Sequence, residues 1–221
     1  MSRHQHIGKH PRVVAVLTSL ESLTRFAGLK VKPCHMAEIR LDHIGVDSDW
    51  MPRCRALEAA GTPVILTLRA AYEGGKWNGR EEDRLEILER ALPEVSAVDV
   101  ELKSGLAPKL KGRGAQVIVS FHDFSGTPPV EQLRKTARQG FEQGEVTKVS
   151  TMINSPNDIA VLEKLLGEQW PGPLCVIGMG AMGVETRTEF PKRGSCLTYG
   201  YFESPAAPGQ RPAATLMERL G

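Results

Sequence analysis

Eight short β-rich apolar runs punctuate this chain of 221 residues, and helical stretches separate them. Strands are expected over residues 13–20, 34–42, 63–70, 96–102, 116–124, 145–153, 173–179 and 195–202. Such strict strand–helix alternation calls for a parallel sheet, because parallel neighbours need a crossover connection. Eight units close into a barrel, and this length lies near the short end for that fold. The expected architecture is a single α/β domain. It is a (β/α)8 TIM barrel over residues 12–221, preceded by a mobile polar arm over residues 1–11.

The helical stretches carry their own punctuation. Residues 80–92 are rich in Glu, Arg and Leu, with Leu85, Leu88 and Leu92 at helical spacing and Pro93 closing the run. A second helix is expected over residues 129–141, running into Gly144. Ser155 is a good N-cap for a third, with Pro156 at the favoured first position and Asp158 beside the positive end of its dipole. Residues 181–190 and the tail after Gln210 complete the set.

Parallel strands are normally apolar on both faces, and these are not. In the second strand Ala37, Ile39 and Leu41 share one face while Glu38, Arg40 and Asp42 share the other. Leu66 and Leu68 oppose Thr67 and Arg69; Val98, Val100 and Leu102 oppose Asp99 and Glu101. Val117, Val119 and Phe121 oppose Ser120 and His122, and Thr147 and Val149 oppose Lys148 and Ser150. In a barrel the period of two turns the apolar set toward the helices and the ionisable set inward. Buried charge is costly unless paired, so five strands aiming it into one space imply a task at their C-terminal ends. An antiparallel sheet with one wet, charged face would explain any one of these strands. It does not explain five of them separated by helices.

Composition narrows the function further. The net charge of +2 is spread along the chain without a basic block, which gives nucleic-acid or membrane-surface binding no electrostatic support. Cys34, Cys54, Cys175 and Cys196 are scattered and form no CxxC pair, so neither a zinc site nor a disulfide framework is expected. His4, His6 and His10 lie in the polar arm and are assigned no function. No apolar run reaches transmembrane length, and the cytoplasm is the expected compartment.

Lys148 is the sharpest single residue, a lysine in the middle of a strand where its β propensity is poor. An amine held neutral attacks a carbonyl carbon, and the resulting iminium withdraws electrons from the adjacent carbon. The bland reading of a strand lysine is a structural ion pair. His122, on the same inward parity, can both take and give a proton near neutrality, and Glu73 in the loop after the third strand is a candidate to orient it. Alone, it would read as a packed, hydrogen-bonded histidine.

Taken together, Glu38-Ile-Arg40-Leu-Asp42, Thr67-Leu-Arg69, Glu73-Gly74-Gly75, Ser120-Phe-His122-Asp-Phe124, Lys148 and Ala207-Pro208-Gly209-Gln210 resemble the type I 3-dehydroquinate dehydratases in order and separation, across essentially the whole chain. The resemblance implies a hydro-lyase that converts 3-dehydroquinate to 3-dehydroshikimate with no cofactor, metal or nucleotide. It implies that Lys148 forms an imine with the C3 ketone. It assigns His122 the C2 proton, imine formation and hydrolysis, and loss of the C1 hydroxyl, with Glu73 paired to it. Arg187 would hold the substrate carboxylate, a natural task for a planar guanidinium. Glu38, Arg40, Arg69 and Gln210 would contact hydroxyls or the carboxylate. A homodimer is expected from resemblance alone.

The chain departs from the family pattern at several places. Ser or Thr usually precedes Ala-Pro-Gly-Gln, where this chain has Ala206, and Ser204 lies two positions earlier. Ser150 stands for Ala, Gly178 for the Ser of Ile-Ser-Met, and Thr186 for the Ser before Arg187. A lost hydroxyl contact to a charged partner costs roughly 1.5–3 kcal/mol, about tenfold or more in affinity. A non-catalytic, dehydroquinate-sensing relative is one alternative, and a Schiff-base barrel lyase or aldolase with another substrate is a second. A third comes from Gly178-Met-Gly180-Ala-Met-Gly183, which fits G-x-G-x-x-G with Glu203 about twenty residues on. That motif arrives at the seventh strand, too late for a nucleotide-binding half.

Overall fold

The computed structural model describes residues 6–207 and 209–220. His4 and the rest of residues 1–5, Pro208 of the Ala-Pro-Gly-Gln segment, and Gly221 lie outside the described residues. Eight parallel strands follow one another: β1 (Arg12–Leu17), β2 (Met36–Arg40), β3 (Val64–Thr67), β4 (Ala97–Glu101), β5 (Gln116–Asp123), β6 (Val146–Met152), β7 (Leu174–Met179) and β8 (Leu197–Tyr201). Seven lie inside their expected runs, trimmed at the ends where the chain leaves the ladder, and β1 begins one residue before its run, at Arg12, which pairs with Leu197 of β8.

The sheet runs β7-β6-β5-β4-β3-β2-β1-β8. The seam between β7 and β8 is closed by fewer bonds. Cys196 N donates to Leu174 O at 2.9 Å, and the Ser195 hydroxyl accepts from Val176 N at 2.9 Å. The chain is thus a (β/α)8 barrel.

Between the strands lie α1 (Leu20–Gly28), α2 (Leu41–Ile44), α3 (Trp50–Ala59), α4 (Glu81–Ala91), α5 (Ala107–Leu110), α6 (Val130–Gln143), α7 (Pro156–Leu166), α8 (Thr186–Lys192) and, after β8, α9 (Ala213–Leu220). At the start of α7 Asp158 Oδ2 reaches back to accept Ser155 N at 2.8 Å, satisfying a donor the helix cannot. The stretch expected as one helix over 181–190 is divided: a 3₁₀ turn, Ala181–Gly183, precedes α8. The cause is tertiary. A Cβ on Gly183 would stand 2.5 Å from the Gly178 carbonyl carbon, and Thr186 Oγ1 bridges Gly178 N and Gly183 O. The glycines of the G-x-G-x-x-G motif therefore pack a barrel loop against the end of β7.

Strand parity sorts the interior as the sequence pattern implies. Outward residues such as Val13, Ile39, Leu66, Val98 and Val119 form one buried cluster with Phe26, Trp50 and Leu88 of the helices. Inside the barrel, Val14, Met36, Ile65, Ala97, Ile118, Val146 and Cys175 fill the N-terminal half as an apolar plug, with Ile7 buried among them. Gln116 Nε2 donates to the Ile7 carbonyl at 3.3 Å, so this part of the arm is fastened to the barrel floor. Above the plug the interior turns polar. Among the described residues no helix is long and apolar enough to cross a membrane.

Candidate active site

One pocket, of about 750 Å³ counting its open mouth, lies at the C-terminal end of the barrel. It is lined by Glu38, Arg40, Arg69, Glu73, His122, Lys148, Arg187 and Gln210, together with Phe124, Tyr199 and Ala206. All eight residues expected at a site from the sequence thus converge on one space, from β2, the loop after β3, β5, β6, α8 and the segment after β8.

Lys148 Nζ donates to Asp99 Oδ2 at 2.9 Å and stands 4.4 Å from the centre of the Tyr199 ring. Asp99 also accepts from Arg69 Nη2 at 2.6 Å and from the Ser120 hydroxyl at 2.7 Å. Burial alone would raise the Asp99 carboxyl, but the Arg69 and Lys148 cations outweigh it and hold the group far below its ordinary range. Burial likewise works against the Arg69 charge, and Asp99 and Glu101 more than restore it. Glu101 accepts from Arg69 Nη1 at 3.0 Å and from Arg84 Nη1 at 2.6 Å. Arg84 reaches in from α4 and is wholly buried. Arg69, expected to contact substrate, is thus both part of the pocket wall and the hub of this ion network.

His122 Nδ1 lies 2.9 Å from Glu73 Oε2. Burial, reinforced by Arg69 and Lys148, pushes the imidazole well below its ordinary value, so it is neutral at pH 7. Burial raises Glu73 to about 7, against the pull of Arg69. Glu73 ends a 3₁₀ turn, Ala71–Glu73, that is followed by Gly74 at φ +76°. A Cβ on Gly75 would lie 2.0 Å from the Arg69 carbonyl oxygen, so the loop can fold back over β3 only with glycine there. Phe124 stacks on His122 at 6.0 Å and covers Gly74.

The remaining expected residues divide by what already engages them. Glu38 accepts from Thr67 Oγ1 at 2.7 Å. Arg40 makes a two-pronged pair with buried Asp42, at 2.9 and 2.8 Å. Gln210 Oε1 accepts from Ala206 N at 2.7 Å, closing the segment after β8 into a strap beside the pocket. Arg187 is 3% exposed, yet its bonds go to carbonyls, Nη1 to Tyr199 O and Nε to Gly209 O, both at 3.0 Å. It has no carboxylate within ion-pair distance among the described residues, and burial lowers it to about 10. A buried guanidinium without a counter-charge is a receptor for an anion.

Asp99, Glu101, Arg84 and Tyr199 were not read as site residues from the sequence. Asp99 and Glu101 had the inward parity, which was the available signal. Arg84 sits among the charges of α4 and Tyr199 in an apolar strand, where neither stands out. Among the described residues no group of His, Cys, Asp and Glu is arranged to hold a metal ion.

The family model for type I 3-dehydroquinase matches residues 13–221. The chain belongs to the type I 3-dehydroquinase family. It is thereby a carbon–oxygen hydro-lyase. The chain is similar to a 3-dehydroquinate dehydratase of Methanosarcina mazei, 37% identical with 92% of this chain and 91% of the relative covered. One from Methanocella arvoryzae is 32% identical and covers 95% of both chains. Among solved structures, the 3-dehydroquinate dehydratase of Aquifex aeolicus superposes with a TM-score of 0.78 at 28% identity, over 93% of this chain and 95% of that one. Membership of the family accounts for why the ionisable parity runs through five strands.

Proposed function

We propose that the chain dehydrates 3-dehydroquinate to 3-dehydroshikimate, in the shikimate pathway of the cytoplasm, through a Schiff base on Lys148. The observation that carries the reading is the shared opening of Lys148, the His122–Glu73 pair and the uncompensated Arg187 onto one cavity. A keto acid supplies what each lacks: a carbonyl for the amine, a proton for the imidazole and a carboxylate for the guanidinium.

Lys148 gives one ammonium proton to neutral His122, and the resulting amine attacks the C3 carbonyl carbon. The carbinolamine hydroxyl leaves as water with the proton His122 returns, so that ammonium and ketone become iminium and one water. Neutral His122 takes the C2 proton, and the electron pair moves into the C–N system as an enamine. That pair then expels the C1 hydroxyl, which leaves as water with the proton His122 returns. A water molecule hydrolyses the remaining iminium, freeing product and amine, so the net change is loss of one water. Glu73 orients the imidazole and offsets its positive charge while it holds the proton.

The test is borohydride reduction in the presence of 3-dehydroquinate, with mass mapping of the Lys148 peptide and the ultraviolet absorbance of the conjugated product. A reduced adduct on Lys148 together with product is the expected result. An adduct without product would instead indicate a binding relative. Absence of both adduct and product would overturn the substrate.

A further inference from the structure

Among the described residues Tyr199 is the one aromatic ring in contact with the reacting nitrogen. It is 4% exposed, and its face lies 4.4 Å from Lys148 Nζ, within the range of a cation–π contact. The strand that carries it is pinned on both sides of the residue. Thr198 Oγ1 donates to the Arg187 carbonyl at 2.8 Å, and Arg187 Nη1 donates to the Tyr199 carbonyl at 3.0 Å. The ring is therefore held by the same arginine that waits for an anion. Its hydroxyl has no hydrogen-bond partner among the described residues. The face of the ring, and not the phenol, is what engages Lys148.

We propose that Tyr199 is a further catalytic residue, whose π face stabilises the positive charge on the Lys148 nitrogen after it has become an iminium. Ammonium and iminium differ in how many N–H donors they carry. An ammonium has three N–H donors, and one of them serves Asp99 in the present structure. The iminium formed on substrate keeps a single N–H, so hydrogen bonding offers less to the same charge. An aromatic face attracts the cation through its quadrupole and needs no hydrogen to do so. It is desolvated here, where such an attraction is strongest. Tyr199 thus supplies stabilisation that persists through the step in which the ammonium's hydrogens are lost.

The proposal rests on the Schiff-base reading, and the experiment separates the two. Turnover, borohydride-trapped adduct at saturating substrate, and affinity for quinate are measured for the unmodified protein, Tyr199→Phe and Tyr199→Leu. Quinate has an alcohol where the substrate has its C3 ketone and forms no imine. The Phe variant keeps the ring and should match the parent. The Leu variant should lose about tenfold in kcat and trap less adduct, with quinate affinity within about twofold of the parent. Equal behaviour of Leu and Phe would overturn the proposal, as would a fall in quinate affinity as large as the fall in kcat. Should the Leu variant not fold, phenylalanines bearing one to five fluorines at position 199 keep the shape while draining the π face. Turnover should then fall stepwise with fluorine count, and a flat series overturns the proposal. Absence of any adduct on Lys148 in the unmodified protein sinks the Schiff-base reading and this proposal together, whereas an adduct insensitive to the ring sinks this proposal alone.

Discussion

Lys148 Nζ donates to Asp99 Oδ2 across 2.9 Å although β6 and β4 are separated in the sheet by β5. The bond spans the barrel interior, and Asp99 spends its other oxygen on Arg69 and Ser120. One carboxylate thus compensates two buried cations.

Asp99→Asn should be among the most destabilising single changes in the molecule. Removing one partner leaves buried charge unpaired, a loss of about 3–5 kcal/mol. The pH dependence has a definite sign. Asp99 titrates far below its unfolded value, so its stabilisation is present above the unfolded carboxylate pKa and lost as pH falls through the folded one. Urea unfolding should show a constant gap between the two proteins from pH 8 to about 5, narrowing only below about 4. Lys148→Ala, by contrast, leaves Asp99 with Arg69 and Ser120. It should fold, and it should lose turnover entirely.

On the proposed mechanism the His122–Glu73 pair sets the pH profile. Glu73 becomes a carboxylate only as pH rises through about 7, so kcat/KM should climb across that value. In Glu73→Gln the amide oxygen still accepts from Nδ1 but carries no charge to offset an imidazolium. That limb should vanish, and the plateau should fall about tenfold. Stability moves the other way. A folded pKa above the unfolded one gives stability that is present below about 4.3 and lost as pH rises to about 7. The Gln variant should therefore be more stable than the parent at pH 8, by on the order of 2 kcal/mol, and not at pH 4. A parallel pair of stability curves would refute the assignment.

Much of this was legible in the chain because charge at strand parity is a strong signal. Glu38, Arg40, Arg69, His122 and Lys148 sit on alternate positions of runs that would otherwise be apolar, and nothing local explains them. Arg84 was not legible, since in Glu-Glu-Asp-Arg it reads as one more charge on a solvated helix face. Its burial depends on Glu101, seventeen residues away, drawing it through the wall. Tyr199 was hidden for the opposite reason. An aromatic in a strand reads as core, and only the barrel's closure brings β8 across from β6. Ile7 lay in a polar arm, and its burial depends on an open barrel floor that no local pattern announces.

Ala206 lines the pocket where family members usually carry a hydroxyl, and its own N–H is held by Gln210 Oε1. Ala206→Ser places a hydroxyl at the pocket wall without disturbing that backbone bond. The apparent KM should fall by about threefold to tenfold with kcat little changed. Gln210→Ala removes the acceptor that gathers the strap and should raise KM by a similar factor. An Ala206→Ser enzyme with an unchanged or higher KM would show that the missing hydroxyl has no role here.

Arg187 gives the cleanest separation of binding from folding. Its guanidinium is nearly inaccessible, hydrogen-bonded to two carbonyls and without a carboxylate in ion-pair distance among the described residues, so the protein carries an uncompensated buried cation. Arg187→Leu removes that charge together with its carbonyl contacts. The two effects oppose each other, and stability of the free protein should change by less than about 2 kcal/mol. Substrate has no such compensation. Its carboxylate loses a desolvated, charge-assisted partner, and KM should rise at least about 30-fold. Shikimate, which carries a carboxylate but no ketone, should raise the melting temperature of the parent and leave that of the variant unmoved. Equal protection of both proteins by shikimate would mean that the carboxylate is received elsewhere in the pocket, with Arg40 the next cation to test.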